Sequence, residues 1–379
     1  MKRIKKTIVL LMALAVGTVT AACGSGGEKQ AAPGAKAETE AASQNGQNAG
    51  GEALRKVTFG LQTSTNSLPF YVAKEEGMFQ DAGIDAEFLV YTSGGAQMEA
   101  AASDAWMFGT GGVLPAYVGM LNMDLRVIGT CMSDDLMVDL FVREDSPIAM
   151  AGQGNVPEYP TLYGTADTWK GISVLGPVNT TGHYALGCAL EAVGLTLEDV
   201  NVVNMEVNSA NTAFKAGEGD ALISWLALSV DAENDGFVKA ATCNKVGGDA
   251  PSILYATAAA CEDPELVETV LDIYYKAARW MTEHEDETVQ YYYDHLYNNG
   301  VTATMDECRA VIQGIPYHTV EESRAYMVKD ANGERRLMKC FEDIMDFLIK
   351  QGSYTEEDLK RIKELDLMPE EYIVAIPAE

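Results

Sequence analysis

The sequence predicts an α/β fold laid down as two successive strand–helix series, each with a mainly parallel sheet, and followed by a helix-rich C-terminal part. Three observations predict it. Runs of strand length alternate with helix-patterned stretches from Lys56 to Gly129. The same alternation restarts at Trp169, after a polar loop that contains Gly, Pro and Tyr. From Pro264 to about Lys363 the pattern is helical. Strands alternating with helices mean an α/β layout rather than separated α and β regions.

The elements follow in order. Lys56-Val-Thr-Phe-Gly-Leu61 alternates as a strand does, with successive side chains on opposite faces. Polar Gln62 to Asn66 leads to Ser67-Leu-Pro69 and a helix through Gly77, and Ile84 to Tyr91 is the second strand. Ser93-Gly-Gly95 opens an Ala- and Met-rich helix. Asp104 to Phe108 is a short strand, Gly109-Thr-Gly-Gly112 opens the next helix, and Leu125 to Gly129 is a strand again. Met137 to Arg143 reads as a further strand of the first lobe, which places the first crossing between Arg143 and the polar loop ending at Asp167. The second series runs through strands at Ile172–Leu175, Val200–Asn204 and Asp220–Ser224, with helices opened by Asn179-Thr-Thr-Gly-His183 and Ala210. Ser252 to Thr257 is a return strand to the first lobe, and the helical tail is expected to pack across that lobe.

The N-terminus speaks to compartment. Lys2, Arg3, Lys5 and Lys6 precede an apolar run from Thr7 to Val16, and small residues lead to Thr20-Ala-Ala-Cys23. A basic flank, a short apolar core and a small-residue exit form a secretory leader. The run is too short for a membrane span, which needs about 20 apolar residues. Residues 24–51 are rich in Gly, Ala, Gln, Glu and Ser and carry no aromatic residue, so they cannot bury enough surface to order themselves. The layout is therefore a leader at 1–22, a flexible tether at 23–53, a first lobe beginning at 54–145, a second lobe at 146–243, and a return strand with C-terminal helices at 244–379.

Composition excludes several function classes. The formal charge is -29 over 379 residues, and loss of the four cationic side chains of the leader takes it to -33. A chain of that charge repels phosphate backbones, so no nucleic-acid partner is expected. Seven cysteines show no repeated framework and no CxxC, and the four histidines are scattered, so no zinc spacing exists and no cofactor or metal is expected. No GxSxG elbow is present.

Several segments in series resemble one known family. They are Ser67-Leu-Pro-Phe-Tyr-Val-Ala-Lys-Glu-Glu-Gly-Met-Phe, Tyr91-Thr-Ser-Gly-Gly-Ala-Gln-Met, Asp104 to Gly112, Trp169-Lys-Gly-Ile-Ser-Val, Asn179-Thr-Thr-Gly-His-Tyr, Ala192 to Met205 and Ala213-Phe-Lys-Ala-Gly-Glu-Gly-Asp-Ala. In this order and spacing they resemble the substrate-binding proteins for nitrate, sulfonate, taurine and bicarbonate, whose fold is shared with thiamine-pyrimidine-precursor binders. The resemblance implies a type II-like periplasmic-binding-protein clamp with two hinge crossings, and an ABC importer with permease and ATPase subunits as partners. It implies a small organic or oxyanionic solute, sulfonate- or nitrate-like or pyrimidine-like, and no catalysis. The residues before Cys23 resemble a lipobox, which implies lipidation of Cys23 and a monomer held at the outer face of the cytoplasmic membrane or in the periplasm. Two alternatives remain. One is a ligand-sensing receptor. The other is an enzyme related to thiamine-pyrimidine synthesis, whose cysteine-rich motif is missing here.

Ligands of open α/β sheets bind beyond the carboxyl ends of the strands. That rule selects four loops, with Gln62, Thr63, Ser64 and Asn66 in the first and Ser93, Gly94 and Gly95 in the second. Thr110, Gly111 and Gly112 lie in the third, and Asn179, Thr180, Thr181 and His183 in the fourth. At least two are expected to touch solute. Each also reads as plain helix capping, since Ser, Thr and Asn are common N-caps. His183 is expected to donate to a ligand or to change charge with pH, or else to be a helix-start histidine. Trp225 stands as an aromatic wall or a lobe-interface residue. Asp134 and Asp135 either face the cleft, where they would pair with a cation, or form a solvated turn. No Lys or Arg lies in the four loops, although strong anion sites frequently add one. A neutral or amino-bearing solute therefore stands beside the oxyanions.

Overall fold

The computed structural model describes residues 53–91 and 93–378. The leader, Cys23 and nearly all of the tether lie outside the described residues. The first lobe is built from β1 (Arg55–Gln62), α1 (Leu68–Glu75), α2 (Met78–Asp81), β2 (Ile84–Tyr91), α3 (Gly94–Ala101), β3 (Phe108–Gly111), α4 (Val113–Met123) and β4 (Arg126–Ser133). The second comprises β5 (Val138–Val142), α5 (Pro147–Ala151), α6 (Ala166–Trp169), β6 (Ser173–Gly176), α7 (Thr181–Ala192), β7 (Asn201–Asn204), α8 (Val207–Lys215), β8 (Ala221–Trp225), α9 (Leu226–Asn234) and β9 (Val238–Thr242). The chain then returns as β10 (Pro251–Ala256). The C-terminal part holds α10 (Pro264–Glu283), α11 (Glu285–Asn298), α12 (Met305–Gly314), α13 (Val320–Met327), α14 (Arg336–Lys350), α15 (Glu356–Leu365) and α16 (Glu370–Ala375).

Each lobe has a five-stranded sheet, ordered β2-β1-β3-β10-β4 and β7-β6-β8-β5-β9. The two orders match. In each sheet one strand runs antiparallel to both neighbours: β10 against β3 and β4, and β5 against β8 and β9. Both of these strands enter from the other lobe, so the two crossings weave the halves together.

Strand alternation explains the first core. Val57, Phe59 and Leu61 of β1 are fully buried. Phe59 packs against Phe70, Phe79, Phe88 and Phe108 at centroid separations of 4.9, 5.1, 5.6 and 5.8 Å. Fully burying such a ring contributes about 1.5–3 kcal/mol. At Gly60 a β-carbon would lie 2.6 Å from the Trp106 indole, so the close approach of that ring requires glycine.

The structure corrects the position of the first crossing. Strand β5 pairs in the second sheet, and the chain crosses through the turn Asp134–Met137, before rather than after Arg143. Every residue of β5 is buried. A strand enclosed on both faces shows no alternation between a buried and a solvated face and carries no sign of which sheet it joins. Arg143 donates to the carbonyls of Phe214, Glu218 and Gly219, all in the second lobe. The second crossing passes through Cys243–Val246 to β10.

The C-terminal helices cover the first sheet. Tyr274 and Tyr275 of α10 donate to the carbonyls of Asn66 and Thr130, and Tyr117 of α4 donates to Phe341 O of α14. Helix α14 buries Leu337, Cys340, Phe341, Ile344 and Leu348, one face at helical spacing. The helices also reach the second lobe. Phe347 lies edge-on to His183 and Tyr184 at 5.4 and 5.5 Å, and α12 packs on α9. Among the described residues all six cysteines are unpaired, and no helix is long and apolar enough to cross a membrane.

Candidate functional site

The first-lobe loops converge on a buried polar knot. Ser67 Oγ accepts from Gln62 N at 3.2 Å and lies 2.8 Å from Thr110 Oγ1. Asn66 Nδ2 donates to Ser252 Oγ at 3.2 Å, and Asn66 Oδ1 accepts from Thr110 Oγ1 at 3.2 Å. Gln62 Nε2 donates to Gln97 Oε1 at 2.7 Å, while Gln97 Nε2 donates to the carbonyls of Gly60 and Thr110 at 2.6 and 3.0 Å. Buried polar groups of this kind must be paired, because each orphan costs about 1–3 kcal/mol. The knot therefore fixes the loops after β1 and β3 against the start of β10. Asn66 and Thr110 are spent inside it. Thr63 and Ser64 are half-buried, and their hydroxyls have no partner among the described residues.

The glycines separate into two kinds. A β-carbon at Gly94 would lie 2.8 Å from Pro115, and one at Gly111 would overlap the Tyr255 hydroxyl, so packing explains both. Gly95 faces open space, with Ser93 Oγ the nearest atom at 3.9 Å. Ser93 caps α3 by accepting from Ala96 N. The cap accounts for Ser93 and packing on Pro115 of α4 for Gly94. Gly112 differs. Its backbone is extended, at φ -77° and ψ 170°. A β-carbon there would sit 3.7 Å from Thr181 Oγ1 of the second lobe and 3.9 Å from Asp134 Oδ2 of the first crossing. Here the two lobes meet. Tyr255 OH holds the position by donating to Gly112 O at 2.8 Å.

In the second lobe the loop before α7 is shaped by Asn179 at φ 56°, a conformation common for Asn. Thr180 Oγ1 accepts from His183 N at 3.3 Å and donates to Pro177 O at 2.9 Å, so its hydroxyl is used in the cap. Thr180→Ala is expected to lower the unfolding free energy by about 1 kcal/mol, read by urea titration, with Thr180→Ser retaining it. Asn179 Oδ1 accepts from Ser353 Oγ at 3.4 Å, which ties the loop to the C-terminal part. His183 is buried, and its Nδ1 accepts from Asn179 N at 3.3 Å. Burial lowers its pKa to about 4, which favours the neutral imidazole near physiological pH. Trp225 packs against both lobe cores, with its ring 3.3 Å from the β-carbon position of Gly182. The next residue, Leu226, has φ 53°. A left-handed leucine costs roughly 1–2 kcal/mol. Such strain concentrates at ligand clamps.

Asp134 and Asp135 are not a solvated turn. Burial pushes both carboxyls up to about 6. Asp134 is half-buried beside Ser252, whereas Asp135 is buried with Oδ1 unpartnered. Sequence reasoning left Ser252 and Tyr255 outside the site, because both come from the return strand β10 and no local pattern ties them to the loops. Two hollows of about 390 and 290 Å³ open on the outer surface, along α15 at Lys360 and on the second lobe at Val156, and neither joins the lobes.

The sequence matches the NMT1/THI5-like family over residues 64–150 and 166–288, which take in every strand of the two sheets except β1, and both crossings. The chain belongs to this family. The unmatched residues 151–165 of this NMT1/THI5-like protein lie in the excursion between α5 and α6, where Gln153 bridges Tyr163. Among its relatives, a protein of Brachyspira hyodysenteriae named as an ABC transporter periplasmic binding protein is 24% identical over 78% of this chain and 82% of its own. A Bacillus subtilis protein named as an aliphatic sulfonates-binding protein is 27% identical over 66% and 72%. The fold is that of the periplasmic aliphatic sulphonate binding protein SsuA from Escherichia coli, at TM-score 0.66 and 16% identity, covering 81% of this chain and 91% of that one. It is also that of the periplasmic nitrate-binding protein NrtA from Synechocystis PCC 6803, at TM-score 0.62 and 13% identity, covering 86% and 92%.

Proposed function

We propose that this protein is the extracytoplasmic solute-binding component of an ABC importer, which captures a small molecule between its lobes and passes it to a membrane permease. The relatives named as ABC transporter and sulfonate-binding proteins support this class of function. The observation that carries it is the meeting of Gly112, Asp134 and Thr181, which come from the first lobe, the first crossing and the second lobe. Groups on separate bodies joined by two crossings make a clamp that closes by hinge motion. Thr63, Ser64 and Thr181 have hydroxyls without protein partners and are the donors best placed to meet solute. Capture requires only that the closed form bind solute more tightly than the open form. Lipidation of Cys23 would hold the protein at the membrane face as a monomer, within reach of permease and ATPase subunits.

The test is solute recovery. The full chain, purified from its cells and denatured, is expected to release a small molecule detectable by mass spectrometry. That molecule should rebind the refolded protein at one site per chain in titration calorimetry. A folded protein that releases nothing, and binds nothing from a broad solute panel, contradicts the proposal.

A further inference from the structure

We propose that the captured solute carries a protonated nitrogen, such as an ammonium, amidinium or guanidinium group, and that Asp134 is its counter-ion. The inference rests on the solute-binding reading and narrows it to a chemical class. Asp134 Oδ2 lies 3.9 Å, and Thr181 Oγ1 3.7 Å, from the same β-carbon position at Gly112. The carboxylate thus stands at the junction of the lobes, on the turn about which they move. No Lys, Arg or His forms an ion pair with it among the described residues, and its polar neighbour is the Ser252 hydroxyl. The ionisable groups around it are Asp135 on the same turn, Cys131 on β4, Tyr255 on β10 and Cys243 on the second crossing. Each of these is either negative or neutral, so none supplies positive charge.

Asp134 is half-buried, and closing the lobes over a carboxylate without a cation is costly, because removing it from water is offset only by a well-placed opposite charge. The neighbouring polar groups do not neutralise it: Asn66 donates to Ser252, whose hydroxyl lies beside Asp134. The first turns of α4 and α7 also open at the junction, and a helix N-terminus carries roughly half a positive charge. Asp134 brings a full negative charge between them. A solute with a cationic nitrogen answers Asp134, and any oxyanion on the same solute would fall to the helix ends.

The experiment screens the refolded full chain by thermal shift and calorimetry against three matched sets on the same short alkyl and aryl skeletons. The sets are amines and guanidines, sulfonates and carboxylates, and zwitterions carrying both groups. The expected result is that binders come from the two nitrogen-bearing sets. Asp134→Asn should weaken those binders at least 100-fold at pH 7.5 without loss of folded structure by circular dichroism. Affinity in the parent should fall about tenfold per unit below roughly pH 6, as the Asp134 carboxyl protonates. In Asp134→Asn that pH dependence should be lost. Binders confined to sulfonates and carboxylates overturn this inference and leave the solute-binding function intact, as does a nitrogen-bearing binder that Asp134→Asn holds as tightly as the parent. A folded chain that binds nothing in any set removes both.

Discussion

Gly112→Val is expected to fold normally and to lose solute binding by at least 100-fold, about 2.7 kcal/mol. The extended backbone of Gly112 accepts any L-residue, and its β-carbon would make only ordinary contacts with Thr181 and Asp134. Neither conformation nor protein packing therefore requires glycine there. The two γ-methyls of valine would instead occupy the space where the lobes meet. Valine is a poorer N-cap than glycine, so a stability loss of up to about 1 kcal/mol is expected. Urea titration separates that loss from the binding change measured by calorimetry with the recovered solute. Unaltered affinity would show that solute does not occupy the junction.

Lys239→Ala is expected to lower stability by about 2–3 kcal/mol, below the 3–5 kcal/mol typical of a broken buried pair because the lysine is partly open to water. Asp139 is fully buried on β5, with Lys239 Nζ 3.4 Å from Oδ2 and Thr242 Oγ1 donating to Oδ1 at 2.7 Å. Asp139 and Thr242 are register partners, so the pair joins the strand entering the second lobe to the strand leaving it. Without Lys239 the carboxylate keeps its hydroxyl partner but loses its cation. Burial already raises the pKa of Asp139, and Lys239 opposes that rise. The raised folded-state value means that the folded form holds a proton the unfolded chain releases, so stability falls as pH rises past the unfolded value. The loss in Lys239→Ala should therefore be larger at pH 7.5 than at pH 4.5, and adding Asp139→Asn should recover most of it. Equal losses at both pH values would contradict the assignment.

The two sheets were legible because their strands are short, patterned and separated by helix-opening loops. β1 shows its buried face at every second residue, and its loop ends in a Pro at the start of α1. β5 shows no face at all, and its membership depends on pairing with β8, about 80 residues downstream. The site was legible as a set of loops but not as a set of roles. Gly111 and Gly112 are the same letter in sequence, yet one is excluded from bearing a side chain by Tyr255 and the other is open. Thr180 and Thr181 are likewise adjacent, one spent in a cap and the other facing the opposite lobe. Asp134 was visible as an acidic pair with Asp135, but its neighbour Ser252 lies on a strand that returns only after the second lobe. Such distinctions are made by long-range contacts, which local pattern does not encode.

The central claim is that loops from opposite lobes meet at Gly112 and Thr181. The most direct measurement is oxidative cross-linking of the full chain carrying Gly112→Cys together with Thr181→Cys, analysed by peptide mass spectrometry. A β-carbon at residue 112 would lie 3.7 Å from Thr181 Oγ1, the atom a cysteine sulfur would replace, so the two thiols come within reach of each other. The account predicts a bridge between residues 112 and 181 that forms in the native protein and is lost in urea. A folded protein in which the two thiols stay unbridged under oxidant would contradict it.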